Sequence, residues 1–335
     1  MSSTGAGAGG TAVDEGRRAH YAEFYSRPEQ VVDAGEPVMV AVGNCQAESL
    51  RLVVPAEALR SVRLPPVHEL TADDVPHLQA WLGRADVVSV QPIRDGYHGL
   101  PLGTRELLAV MRPEARAAVV PVIRFAGLYP RHLIVRPPSD PSLTPPLVAY
   151  HDAAVLAEAA GLRLPALTPA RVRAVAAESV QALRSREERH GAIAVSDLFE
   201  AAAPDAAASP SAASPSAASA GPALSFELMR TVNHPGNPVW IALADRLFER
   251  VGVDARASDG GRPLLDSVHA PREQAVIDAF GLDAESRADW VVEAETVSAD
   301  AVREAHLAWY AEHPDVVPAG LARHESTLRL LGLTS

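Results

Sequence analysis

The stretch VAVGNCQAESL, Val40 to Leu50, decides how this chain folds. An apolar run ends in Gly43-Asn44-Cys45-Gln46, and a helical pattern follows. Together with the preceding Pro37-Val38-Met39, the apolar run reads as a buried strand that turns directly into a helix. Such a strand–turn–helix unit is the opening of a parallel α/β sheet. Downstream, TADDVPHLQAWLGRA offers Thr71 as an N-cap with Asp74 three residues on, then Leu78 and Leu82 at helical spacing. DVVSVQPI reads as a strand, TRELLAVM as a helix and AAVVPVIRF as another strand. Strands and helices alternating in this way predict a mainly parallel sheet with helices on both faces.

The 335 residues suffice for one large domain or two. Residues 1–36 read as a disordered Gly/Ala-rich start and a leading helix, and 37–200 as the α/β core. Residues 201–223, rich in Ala, Ser and Pro, have nothing to pack and read as a linker or insertion. Residues 224–335 continue the core and end in a mostly helical part. There, Trp240, Leu243, Leu247 and Val251 share one helical face.

Composition narrows the function. A formal net charge of −12 argues against nucleic acid or an anionic membrane surface as a partner. No segment has the length and apolarity of a membrane span, and the N-terminus has no apolar signal core. A single cysteine favours a reducing compartment, so a cytoplasmic location is expected. All 30 basic residues are arginine, which excludes Schiff-base chemistry and a P-loop lysine. The absence of lysine also fits a GC-rich coding bias. GAGAGG near the N-terminus fits G-x-G-x-x-G but follows no strand, so it carries no dinucleotide site. His306 and His313, seven apart on a helix, read as a solvated face rather than a metal pair.

Ligands of open parallel sheets bind beyond the carboxyl ends of the strands, and polar clusters fall at those ends. GNCQ places Cys45 at a helix N-terminus, where the dipole and free N–H groups favour a thiolate or hold an oxyanion. The alternative is a small apolar residue packed beneath the helix, although Asn44 and Gln46 are poor core neighbours. QPIRDGYHG supplies Gln91, Arg94, Asp95, Tyr97 and His98. There Arg94 is suited to an anion and Asp95 to orienting a histidine, or the two simply pair. RFAGLYPRH brings Arg124 and Arg131, with Arg136 further on. TVNHPGNPVW sets His234 between Asn233 and Asn237 in an extended segment before a helix, as a general base or as a turn histidine.

In this order, VAVGNCQAESL, DVVSVQPIRDGYHG and TVNHPGNPVW resemble the WcbI family of polysaccharide-biosynthesis acetyltransferases, over roughly residues 37 to 252. The resemblance implies a fold related to SGNH-type hydrolases and coenzyme A or acetyl-CoA as co-substrate, with no metal. It implies acetylation of a sugar or polysaccharide precursor. Cys45, His234 and Asp95 become catalytic candidates. Gly43, Asn44, Gln46, Gln91, Arg94, Tyr97, His98, Arg124, Asn233 and Asn237 become binding candidates. The expected partner is a saccharide or other small hydroxylated acceptor, and homo-oligomerisation is compatible with the sequence. Two alternatives share these residues: a cysteine-dependent esterase or thioesterase, and a non-catalytic sugar- or nucleotide-binding protein.

Overall fold

A computed structural model describes residues 15–202 and 223–334. The segment read as a linker therefore lies almost wholly outside the described residues. The chain divides into two compact units, the first formed by residues 1–122, 189–193 and 240–260, the second by 123–188, 194–239 and 261–335. This division follows contacts and not the compositional change near residue 201.

The first unit is built on a four-stranded parallel sheet. Its elements are β1 (Val38–Val42), α1 (Cys45–Leu52), β2 (Arg60–Ser61), α2 (Val75–Arg84), β3 (Val87–Val90), α3 (Thr104–Leu108) and β4 (Arg116–Val119). Every residue of β1 and β3 is buried, as expected of central strands covered on both faces. The predicted capping box is present, with the Asp74 carboxylate accepting from the Thr71 amide at 2.8 Å. It starts a helix that buries Leu78, Trp81 and Leu82.

Strand order is β2-β1-β3-β4. The chain leaves β1 toward one edge and returns through β3 toward the other, so the topological switch point falls between β1 and β3. Their register pairs Val42 with Val90. Gly43 and Gln91 therefore emerge side by side at the switch point.

The second unit contains short paired strands and most of the helices. Its elements are β5 (His132–Leu133), β6 (His151–Asp152), α4 (Ala153–Ala159), α5 (Pro169–His190), β7 (Met229–Thr231) and β8 (His234–Pro235). After α6 (Asn237–Val251), most of which belongs to the first unit, come β9 (Val268–His269), α7 (Gln274–Phe280), β10 (Trp290–Val292), β11 (Glu295–Val297), α8 (Ala299–Glu312), α9 (Val316–Arg323) and α10 (Glu325–Leu330). A core of Leu133, Val135, Leu156, Trp309, Val316 and Leu328 joins the helices. On α6, Trp240, Leu243, Leu247 and Val251 are all buried, as their spacing predicts. His306 corrects the expectation of a solvated face. It is fully buried, and its Nε2 meets the Pro146 carbonyl at 3.1 Å. Val302, His306, Trp309 and Tyr310 form the inward stripe of α8. Among the described residues no helix is long and apolar enough to cross a membrane.

Candidate functional site

The first unit places GNCQ and the start of QPIRDGYHG in one corner. Asn44 caps α1, its Oδ1 accepting from the Gln46 amide at 2.9 Å. The Asn44 amide donates to Gln91 Oε1 at 2.9 Å. Gln91 is buried, and its main chain is locked by N–H to Val42 at 3.0 Å and by Thr104 Oγ1 to its carbonyl at 2.9 Å. A Cβ on Gly43 would overlap the Gln91 side-chain amide, so this position requires glycine. Gln46 is also buried, with its Oε1 3.5 Å from Gln91 Nε2.

Cys45 is the first residue of α1, and its side chain is exposed. Its thiol pKa is nonetheless raised. Desolvation by the protein crowded around the rest of the side chain outweighs the pull of the Cys45 and Gln46 backbone N–H groups. This corrects the sequence expectation of a resting thiolate: an eight-residue helix N-terminus does not overcome the loss of water.

Beyond Gln91 the loop is shaped by left-handed residues, Gly96, His98 and Gly99, at φ +60°, +53° and +76°. His98 is exposed and meets the Tyr97 ring edge-on at 4.3 Å. Arg94 lies over the Tyr97 ring at 5.8 Å. The Asp95 carboxylate ion-pairs with Arg105, whereas the sequence suggested that it orients a histidine or pairs with Arg94. Its backbone and carboxylate fold against Gly103, where a Cβ would clash, and this turns the side chain toward α3. Arg94, Asp95, Arg105 and His190 line a cavity of about 730 Å³ at the carboxyl edge of β3 and β4.

The second unit brings RFAGLYPRH and TVNHPGNPVW together, since the Phe125 amide donates to the Val232 carbonyl at 2.9 Å. Arg124 precedes that bond. Its guanidinium pKa is lowered, first by desolvation and then by Arg323. Asn237 is a structural tie: its Nδ2 donates to Arg262 O at 2.9 Å, and its Oδ1 accepts from the Leu264 amide at 2.8 Å. A Cβ on Gly236 would run into the Glu227 carbonyl, which explains the glycine of NHPGN.

His234 sits in a cluster centred on Tyr150, a residue the sequence did not single out. Tyr150 Oη accepts from Thr231 Oγ1 at 2.9 Å, donates to Asn233 Oδ1 at 2.8 Å and lies 3.3 Å from His234 Nε2. With the tyrosine proton directed at Asn233, the long contact is filled by an Nε2–H of His234. That tautomer leaves the basic lone pair on Nδ1, which has no hydrogen-bond partner among the described residues. Burial lowers the His234 pKa to about 4, so the ring is neutral near pH 7. Behind it, Tyr150 stacks on Trp290 with centroids 5.9 Å apart.

A sheet switch point carrying an exposed cysteine on a helix N-terminus marks an α/β protein, and such switch points are where open α/β sheets commonly bind ligands. The chain belongs to the family described as polysaccharide biosynthesis enzyme WcbI, whose profile matches residues 38–217. A solved structure of WcbI is similar in fold, with a TM-score of 0.67 and 18% identity over 89% of this chain and 99% of that one. It is described as the native protein without a disulfide bond between coenzyme A and a cysteine. No curated protein matches.

Proposed function

We propose that the protein is an acetyl-CoA-dependent O-acyltransferase acting on a sugar or polysaccharide precursor. The observation that carries the reading is the exposed Cys45 thiol on the N-terminus of α1, at the switch point of the sheet. The family and the mention of coenzyme A in the related structure support it. Arg94 and Arg105, lining the cavity beside β3 and β4, are suited to the phosphates of the co-substrate.

In the reaction, the Cys45 sulfur bonds to the thioester carbonyl carbon as the bond from that carbon to the coenzyme A sulfur breaks. Coenzyme A leaves as the thiol, with the proton Cys45 gave up. The backbone N–H of Cys45, at the positive end of α1, offsets charge on the tetrahedral oxygen. The acceptor hydroxyl then bonds to the acetyl carbon, its proton passing to the departing Cys45 sulfur, which is released as the thiol; His234, in the second unit, is a separate candidate general base. Asp95 acts through Arg105, holding the anion-binding edge in place. The raised thiol pKa means that proton removal from Cys45 accompanies its attack.

The test is mass spectrometry of protein mixed with acetyl-CoA in the absence of acceptor. A 42-dalton adduct on the Cys45 peptide is expected (the added mass of one acetyl group for one hydrogen). Full turnover by Cys45→Ala would eliminate the covalent route. Release of acetate at the same rate with and without an acceptor would mark a hydrolase instead.

A further inference from the structure

The second unit contains a cavity of about 720 Å³ that His234 does not line. Arginines and carboxylates face it in equal number, yet their charges are unevenly paired. Arg131 holds Glu273 at 3.2 Å and Asp152 at 3.6 Å. Arg303 ion-pairs with Glu158 and also feels Asp300. Three of the four acidic groups of the wall are thus ion-paired and the fourth, Asp300, acts on Arg303, which leaves Arg272 and Arg287.

Those two arginines lie directly opposite each other. The Arg272 amide donates to Arg287 O at 2.8 Å, and the Arg287 amide donates to Arg272 O at 2.9 Å. Residues that exchange both backbone bonds carry their side chains on the same face, with Cβ atoms about 5.5 Å apart. Like charges in that position destabilise the pair. Neither arginine has an ion-pair partner among the described residues. The Arg287 guanidinium donates to the carbonyls of Asp289 at 3.0 Å and Ala270 at 2.8 Å, while Arg272 lies over the Phe226 ring at 5.1 Å. The nearby Asp289 carboxylate is committed to the Ala299 amide at 3.0 Å. Desolvation, and after it the charge of Arg272, lowers the Arg287 pKa.

We propose that Arg272 and Arg287 are the oxyanion clamp of a ligand site in this cavity, taking a carboxylate or phosphate group on an organic body. An oxyanion bridging two guanidinium forks replaces their repulsion with charge-assisted hydrogen bonds. Trp290 and Leu167 supply apolar wall for the rest of the ligand. The site is independent of the acyl-transfer reading.

The test uses the full chain in a Tris buffer without other oxyanions, with glucose 1-phosphate, galacturonate and neutral glucose as probes. Calorimetry should show the phosphate or the carboxylate sugar binding, and glucose not. Arg272→Gln, which removes no side-chain hydrogen bond described here, should weaken that binding at least tenfold. Its Tm without ligand should equal or exceed that of the unmodified protein, because the repulsion is gone. Arg287→Gln should weaken binding similarly. Absence of binding by both charged probes, equal binding of glucose, or unchanged affinity in both variants would overturn the clamp. Coenzyme A titrated into Arg272→Gln should bind as it does to the unmodified protein, and lost affinity would overturn a site separate from the co-substrate's.

Discussion

The side chain of Gln91 holds the backbone amide of Asn44 at 2.9 Å, one residue ahead of Cys45. It crosses from β3 to β1 in the space left by the missing Cβ of Gly43. Gly43→Ala should therefore displace Gln91 and cost about 1–3 kcal/mol of stability, as overpacking does. Urea denaturation checks the cost. Calorimetry with coenzyme A should show weakened binding, and an alanine variant as stable as the parent would contradict the tight corner.

Cys45 should behave as an ordinary or reluctant thiol in spite of its position. Its raised pKa predicts that alkylation by iodoacetamide climbs roughly tenfold per pH unit from neutral pH past 8.5, the usual cysteine value. A plateau at or below pH 8 would show a depressed pKa and a resting thiolate.

Tyr150→Phe removes the oxygen that joins Thr231, Asn233 and His234. The loss of a buried hydrogen-bonded hydroxyl should cost about 1–3 kcal/mol of stability. With the His234 tautomer no longer fixed, kcat should fall more than KM changes. An unaltered kcat would separate Tyr150 from catalysis and leave it a structural group.

Acid should unfold the protein before its carboxylates titrate. Burial lowers the pKa values of His132, His151 and His234 to about 4 each. The unfolded chain therefore binds protons near 6.5 that the folded chain refuses. The stabilisation is fully present above pH 6.5 and is lost as pH falls from there toward 4. Each group contributes up to about 3 kcal/mol. Tm measured from pH 7.5 to 4.5 should drop steadily below 6.5, and a flat profile to pH 5 would refute the buried neutral rings.

The first unit was largely legible in the sequence. Val38 to Val42 is an unbroken apolar run, Asn44 is an N-cap residue and Asp74 follows Thr71 at capping-box spacing. These are local signals, and they fix the strand–turn–helix unit and the place of Cys45. Thr104, which locks the Gln91 carbonyl, gave no such signal, because a hydroxyl at a helix start has many uses. The Tyr150 cluster was not legible at all. Tyr150 lies in an irregular Pro-rich segment some eighty positions from Thr231, Asn233 and His234, and no periodicity links them. The opposed arginines escaped notice for a related reason, since Arg272 and Arg287 meet through an isolated bridge with no run of alternating residues around it.

The corner at Gly43 and Gln91 also constrains how this protein can change. Gln91 occupies its place through backbone N–H, backbone carbonyl and side chain at once. A larger residue at one position demands a smaller one at the other, so single steps in either direction pass through a damaged intermediate. An engineer seeking more room beside the Cys45 thiol would need to alter both together, and divergence within the family should concentrate in the loop beyond Gly96 while leaving this corner untouched.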